Sequence, residues 1–208
     1  MKKVVVVDDH PVVRLAIGML LQREGYTVVA ETDNGIEAVR LARELQPELM
    51  ILDIGLPKLD GLGVIASLNQ YELPIKVLVL TTQPANLYSM RCMQAGAVGY
   101  VSKNEDLSDL IAALKAIGAG YTYFPNLSFS SVHKGDIQAD EHTRLNLLSN
   151  REMAVLRLLA VGRSNKEIGD EMALSNKTIS TYKVRIMEKL QVQTLVDLVD
   201  IAKRHTLV

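Results

Sequence analysis

The sequence predicts two domains of different class: an α/β amino-terminal domain folded as a doubly wound (βα)5 sheet, and a small all-α domain of four helices at the carboxyl end. Three observations lead there. Up to about residue 120, five short apolar runs alternate with five segments of helical periodicity. The apolar runs are continuous rather than alternating, as in parallel strands covered on both faces. From Ser149 onward, capping signals recur with no strand between them. At 208 residues the chain is long for one domain and sufficient for two cores.

Residues 3–7, KVVVV, form the first strand, and Pro11–Arg23 places Val13, Ile17, Leu20 and Leu21 at helical spacing before Gly25. VVAE (28–31) is the second strand; Asn34-Gly35 then opens a helix carrying Ile36, Val39 and Leu45 that stops before Pro47. LMIL (49–52) delivers Asp53 to its carboxyl end, where Gly55 and Pro57 break regular structure. A helix with Leu62, Ile65 and Leu68 precedes Pro74, VLVLTT (77–82) is the fourth strand, and Ala85–Ala95 is a helix ended by Gly96. Gly99–Val101 is the fifth strand, and the helix Leu107–Ala119 has Leu110, Ile111, Leu114 and Ile117 as its stripe.

Periodicity then fades, and Ser128–Thr143 has the composition of a flexible connector, with an ordered, inhibitory linker as the alternative. The expected boundaries are 1–122 for the first domain, 123–147 for a linker and 148–208 for the second domain. The last has helices at Asn150–Ala160, Asn165–Met172, Asn176–Leu190 and Leu195–Arg204, opened by Ser149, Ser164, Ser175 and Thr194.

No run of eighteen apolar residues exists and the amino terminus lacks a signal-peptide pattern, so no membrane span and a cytoplasmic location are expected. The single cysteine, Cys92, excludes an internal disulfide and reads as a small buried hydrophobe. The histidines (His10, His133, His142, His205) lack ligand spacing, so no zinc site is expected. The net charge of −1 hides an asymmetry: residues 1–124 carry 11 Lys/Arg against 14 Asp/Glu, while 149–208 carry 10 against 7. An acidic front and a basic tail fit a metal-binding or signal-accepting domain joined to one that meets a polyanion.

In a doubly wound sheet the first and third strands flank the crevice where ligands bind. Their carboxyl ends carry Asp8, Asp9 and Asp53. Three converging carboxylates repel one another unless a cation is present, and hard oxygen ligands at an open site suit Mg2+. Thr81, after the fourth strand, offers a hydroxyl donor; Lys103, after the fifth, offers a permanent cation. With a divalent ion they would orient a phosphoryl group for attack by Asp53, giving an aspartyl phosphate. Taken singly, a strand-end Asp is ordinarily a turn former, Thr81 a β-propensity choice and Tyr100 core filler. Five coincident placements point instead to chemistry.

Asp8-Asp9, Asp53, Thr81 and Lys103 together resemble the receiver domain of two-component response regulators, over about residues 1–120. The resemblance implies that a sensor histidine kinase phosphorylates Asp53, that Asp9 and Asp53 bind Mg2+ directly with Asp8 acting through water, and that the Gly55 carbonyl completes the site. It also implies that Thr81 and Tyr100 are the side chains that rearrange on phosphorylation, drawn inward by the acyl phosphate. Two positions depart from the pattern. Asn104 stands where many receivers have proline, which removes an expected cis peptide, and Thr82 stands where Ala or Gly is common, which bears on access to the phosphoryl group.

In the basic tail, Ile179, Tyr182, Ile186 and Leu190 form the inward stripe of the third helix. Opposite lie Lys177, Thr181, Val184 and Glu188, flanked by Ser180 and Arg185; all but Glu188, which should tilt away from the phosphates, are residue types that suit phosphates and base edges in a major groove, and Thr178 and Lys183 are expected to contact DNA with them. On this helix alone, a merely solvated face would be the ordinary reading. The wider segment, LSNREMAVLRLLAVGRSNKEIGDEMALSNKTISTYKVRIMEKL, resembles the LuxR-type output domain of the NarL/FixJ subfamily; SNKEI, SNKTISTYK and the receiver's GYTYFP also resemble the BvgA/EvgA group. Gly169 departs where Ala is usual and Tyr182 where many members have His, and neither is expected on the groove face.

The resemblance implies a transcription factor rather than an enzyme, with double-stranded promoter DNA and RNA polymerase as partners and a homodimer formed on activation. In the subfamily the last helix dimerises. Here its stripe is Leu195, Leu198, Val199 and Ala202, which equally fits the domain's own core. One alternative is a magnesium-dependent aspartyl-phosphate phosphatase, but such enzymes usually carry an acid/base Asp where this chain has Gly55. The other is a regulator acting without phosphorylation, against which the intact acidic and lysine positions argue.

Overall fold

Apolar runs without alternation become the strands of one sheet, because each must bury side chains on both faces. The computed structural model describes residues 2–56, 58–104, 107–125 and 137–208. Its strands are β1 (Lys2–Val7), β2 (Tyr26–Thr32), β3 (Leu49–Leu52), β4 (Lys76–Thr81) and β5 (Gly99–Ser102). They pair in parallel in the order β2-β1-β3-β4-β5. Helices α1 (Pro11–Arg23), α2 (Gly35–Leu45), α3 (Gly61–Gln70), α4 (Ala85–Ala95) and α5 (Leu107–Gly118) connect and follow the strands. Val4, Val6, Ile51 and Leu78 bury one face against Ile17 and Leu21 of α1 and Leu110, Leu114 and Ile117 of α5.

Register decides what meets at the strand ends. Val7 lies opposite Leu52, so Asp8 and Asp53 leave the sheet side by side, and the Asp53 amide donates to the Val7 carbonyl at 2.9 Å. Thr81 lies opposite Ser102, which sets Lys103 one residue further, its amide donating to the Thr81 carbonyl at 2.8 Å. Beyond α5, Tyr123 runs parallel to β5: its amide donates to the Val98 carbonyl at 3.0 Å and its carbonyl accepts from the Tyr100 amide at 2.7 Å. This GYTYFP segment therefore packs on the sheet edge.

Contacts divide the chain into residues 1–126 and 127–208. In the second unit, α7 (Asn150–Ala160), α8 (Asn165–Met172), α9 (Asn176–Leu190) and α10 (Leu195–Arg204) occupy the spans read from their caps. Ser149, Ser164, Ser175 and Thr194 each accept a hydrogen bond from the backbone amide three residues on.

One expectation is corrected. Residues 137–146, assigned by composition to the connector, form a further helix, α6 (Ile137–Asn146), packed against α9. Leu145 and Leu148 are buried, Arg144 Nη1 donates to the Leu190 carbonyl at 3.3 Å, and Glu141 pairs with Arg204 at 2.7 Å and with His205 at 3.2 Å. So short and polar a helix is held by Leu145 near its carboxyl end, by Leu148 just beyond it and by its ion pairs, which leave no apolar stripe to read. The rest of the expected connector, Ser128–Asp136, lies outside the described residues, as does Pro57. No helix among the described residues is long and apolar enough to cross a membrane.

Candidate functional site

The ends of β1, β3, β4 and β5 bring four of the predicted groups together. Asp53 is 4% exposed, and its two oxygens are separately engaged. Oδ1 accepts from the Thr81 hydroxyl at 2.7 Å and from the Gly55 amide at 2.9 Å. Oδ2 faces the Lys103 ammonium at 2.5 Å, and the same ammonium lies 2.7 Å from Asp8 Oδ2. One half-buried cation thus bridges two buried carboxylates. Burial works against the charged lysine, but Asp53 and then Asp8 outweigh it and hold its pKa above the ordinary lysine value of 10.5.

Asp9 stands apart from this pair. It is exposed, and its Oδ1 lies 2.6 Å from His10 Nδ1. Among the described residues, the ligand atoms that lie within 4.8 Å of one another belong to Asp8, Asp9 and His10, a set that does not include Asp53. Carboxylate oxygens at an open strand end suit a hard cation, so the chemistry of the donors fits magnesium. His10, which spacing did not single out, is the added member of the cluster.

Tyr100 is buried at 1% exposure, and its hydroxyl donates to the Gln83 carbonyl at 2.6 Å. Thr81 is fully buried and already bonded to Asp53. Both side chains expected to be drawn inward by phosphorylation are therefore inward already.

In the second unit, α9 exposes Lys177, Ser180, Thr181, Val184 and Arg185, while Thr178 and Lys183 are half-buried. Ile179, Ile186 and Leu190 face the core. Tyr182 does so only in part: half-buried, it lines a shallow depression of about 310 Å³ with Ser175, Lys177, Thr178, Thr181 and Arg185. This corrects its placement wholly on the inward stripe, since a ring as long as tyrosine's reaches from the flank of a helix to both sides. The stripe expected for a dimer or for the domain's own core divides between core and surface. Leu198 and Ala202 are fully buried in the domain core, whereas Leu195 and Val196 are 40% and 68% exposed and Val199 is half-buried.

Residues 4–115 match the family described as response regulator receiver domain, and residues 146–202 match bacterial regulatory proteins of the luxR family. The chain is a response regulator with a LuxR-type output domain. It is 53% identical over 205 residues to the virulence-factor transcription regulator BvgA of Bordetella pertussis, covering 99% of this chain and 98% of that one. The DNA-binding transcriptional activator EvgA of Escherichia coli is 36% identical over 202 residues, covering 97% of each chain. A structure of RcsB from Salmonella enterica serovar Typhimurium, bound to a promoter in the presence of a phosphomimetic, superposes with a TM-score of 0.72 at 26% identity, covering 98% of both chains.

These relatives are transcription regulators rather than enzymes, which removes the phosphatase alternative for this response regulator. Sequence reasoning also passed over Gln83, two positions beyond Thr81, which is buried and accepts the Tyr100 hydroxyl at its carbonyl. Its signal was only its place at the carboxyl end of β4, beside the crevice.

Proposed function

We propose that Asp53 is the phospho-acceptor through which a sensor histidine kinase controls DNA binding by the output domain. The observation that carries this reading is the Asp53 carboxylate held by the Thr81 hydroxyl on one oxygen and the Lys103 ammonium on the other. A phosphoryl group added there meets a donor and a cation already in place, and phosphoryl transfer asks a protein mainly for positioning and charge. Asp8, Asp9 and Asp53, with the Gly55 carbonyl, are the residues to hold Mg2+. That ion supplies charge neutralisation for the incoming group.

Thr81 and Tyr100 act as the switch by persisting in the inward arrangement. Phosphorylation favours a state the chain already adopts, and the population shifts accordingly. The receiver spans residues 1–122 and the DNA-binding module includes residues 148–208. Lys177, Thr178, Ser180, Thr181, Lys183, Val184 and Arg185 meet promoter DNA, with Lys and Arg on phosphates or guanine edges and Thr and Val at thymine methyls. Two copies reading two half-sites bind far better than one, so activation proceeds through a homodimer to which the exposed Leu195 and the half-buried Val199 contribute. The site of action is the cytoplasm, with RNA polymerase as the downstream partner.

The test is a gel shift on genomic promoter fragments with acetyl phosphate and Mg2+. Phosphodonor strengthens binding by the unaltered protein and leaves Asp53→Asn unchanged; equal responses in the two proteins would sink the reading.

A further inference from the structure

Where the chain returns along β5 after α5, it borders a cavity of about 370 Å³. Tyr100 and Ser102 of β5, Ala85 at the start of α4, Asp109 in the first turn of α5, and Tyr123 and Phe124 of the returning segment line it. Hydrogen bonds fix two of the aromatic side chains. The Tyr100 hydroxyl reaches the Gln83 carbonyl just before α4, and the Tyr123 hydroxyl points to Asp109 on α5. Ala85 and Ser102 are small, and their size leaves the space open. Its volume lies at the lower end of the range for small-ligand sites, about 300–1,000 Å³.

Asp109 is the charged group of this lining. It is half-buried, and the Tyr123 hydroxyl stands 3.4 Å from its Oδ1, long for a bond to a carboxylate. Among the described residues it has no ion-pair partner. Asp8, Asp53, Glu141 and Glu152, also buried or half-buried, each face a lysine or an arginine. The positive end of α5 offsets only part of the Asp109 charge, about half a unit. An anion would be repelled here, and a neutral apolar guest would cover the carboxylate without pairing it. A cation with an apolar body meets both requirements, since aromatic faces attract positive charge. Two carboxylate oxygens further suit a head group with several N–H donors.

We propose that this cavity is a binding site for a small organic cation, an alkyl amine or alkyl guanidine. Its charged head pairs with Asp109, and its chain lies against Tyr100, Tyr123 and Phe124. The site is separate from the phospho-acceptor: none of Asp8, Asp53, Thr81 and Lys103 lines it. A guest seated on Tyr100 in its inward position stabilises that arrangement by mass action.

The test is isothermal titration calorimetry of the full chain with agmatine, an alkyl guanidine that carries an amine at its other end. Saturating Mg2+ and about 0.15 M salt keep it from the acidic crevice and screen exposed carboxylates. One agmatine binds per chain with a Kd of about 0.1 mM. N-Butylurea, uncharged but of similar head shape, binds at least about tenfold more weakly. Asp109→Asn, which keeps an acceptor for the Tyr123 hydroxyl, weakens agmatine about tenfold. Ala85→Leu, which fills the space and leaves the carboxylate in place, weakens it about as much. Asp53→Asn binds agmatine as the unaltered protein does. Absence of binding up to about 10 mM agmatine would overturn the assignment. So would unchanged binding in both Asp109→Asn and Ala85→Leu, or weakened binding in Asp53→Asn, because the guest would then sit elsewhere. Butylurea binding as tightly as agmatine would show that charge is not recognised, and the cation site would be wrong.

Discussion

The crevice at Asp53 and the outer face of α9 solve opposite problems. The crevice gathers Asp8, Asp53, Thr81 and Lys103 from four strand ends spread over nearly a hundred residues, and it exists only while the sheet keeps its register. The α9 face draws its groups from one helix turn after another, Lys177 to Arg185, and needs only that the helix be seated. In the crevice the carboxylates and Thr81 are buried and paired with one another or with Lys103; on α9 most polar groups are exposed, with the Ser180 and Thr181 hydroxyls resting on carbonyls of their own helix. A site assembled by topology can be lost through distant changes, whereas a site carried on one element fails mainly through its own side chains.

Substitutions can break this contrast, and the largest effect belongs to Asp53. Asp53→Asn abolishes phosphoryl uptake from acetyl phosphate, read on phosphate-affinity gels, while leaving the basal affinity of the α9 face for DNA intact. Next comes Lys103→Met, which strands two buried carboxylates and destabilises the receiver by about 3 kcal/mol in a calorimetric scan. Magnesium recovers part of that loss, since a divalent ion replaces the missing charge. A variant melting as the unaltered protein does would mean that the bridge over Asp8 and Asp53 contributes nothing to the fold.

Lys177→Ala/Thr181→Ala ranks third, costing about 2 kcal/mol of promoter affinity and reducing the salt slope by about 1, with phosphoryl uptake unchanged. If uptake fell as well, the two substitutions would be acting on more than the α9 face. The smallest effect is on acid stability. Burial pushes the Glu152 pKa upward, but the Lys189 ammonium at 2.6 Å and the Ser149 amide outweigh it and hold the carboxyl below its ordinary 4.5. A lowered folded pKa means stability that is present above pH 4.5 and lost as the pH falls through the folded value. Urea melts of the second unit should therefore be flat from neutrality to about pH 5 and decline below it, with a shallower decline in Glu152→Gln.

The same contrast explains what could be read before any coordinates. The helices α7 to α10 were legible to the residue because Ser149, Ser164, Ser175 and Thr194 announce them locally. The crevice was legible because strand-end residues on continuous apolar strands must meet at one edge of a parallel sheet. Where neither signal exists, sequence was mute. The amino-terminal part of α6 offers no apolar stripe, and Leu198 and Ala202 could serve a dimer or a core with equal sense until Leu198, Ile201 and Ala202 were seen buried together. Gln83 carries no periodic or charged signature; only its burial beside Gly55 marks it.

The pairing of Tyr123 with β5 has a consequence for solubility. An outermost strand offers unpaired amides and carbonyls that another chain can copy onto. By taking the Val98 carbonyl and the Tyr100 amide, the segment after α5 covers that template over the stretch holding Tyr100. The β5 edge of the sheet is thereby closed to further pairing over that stretch, and β2 is left as the outer strand at the opposite edge.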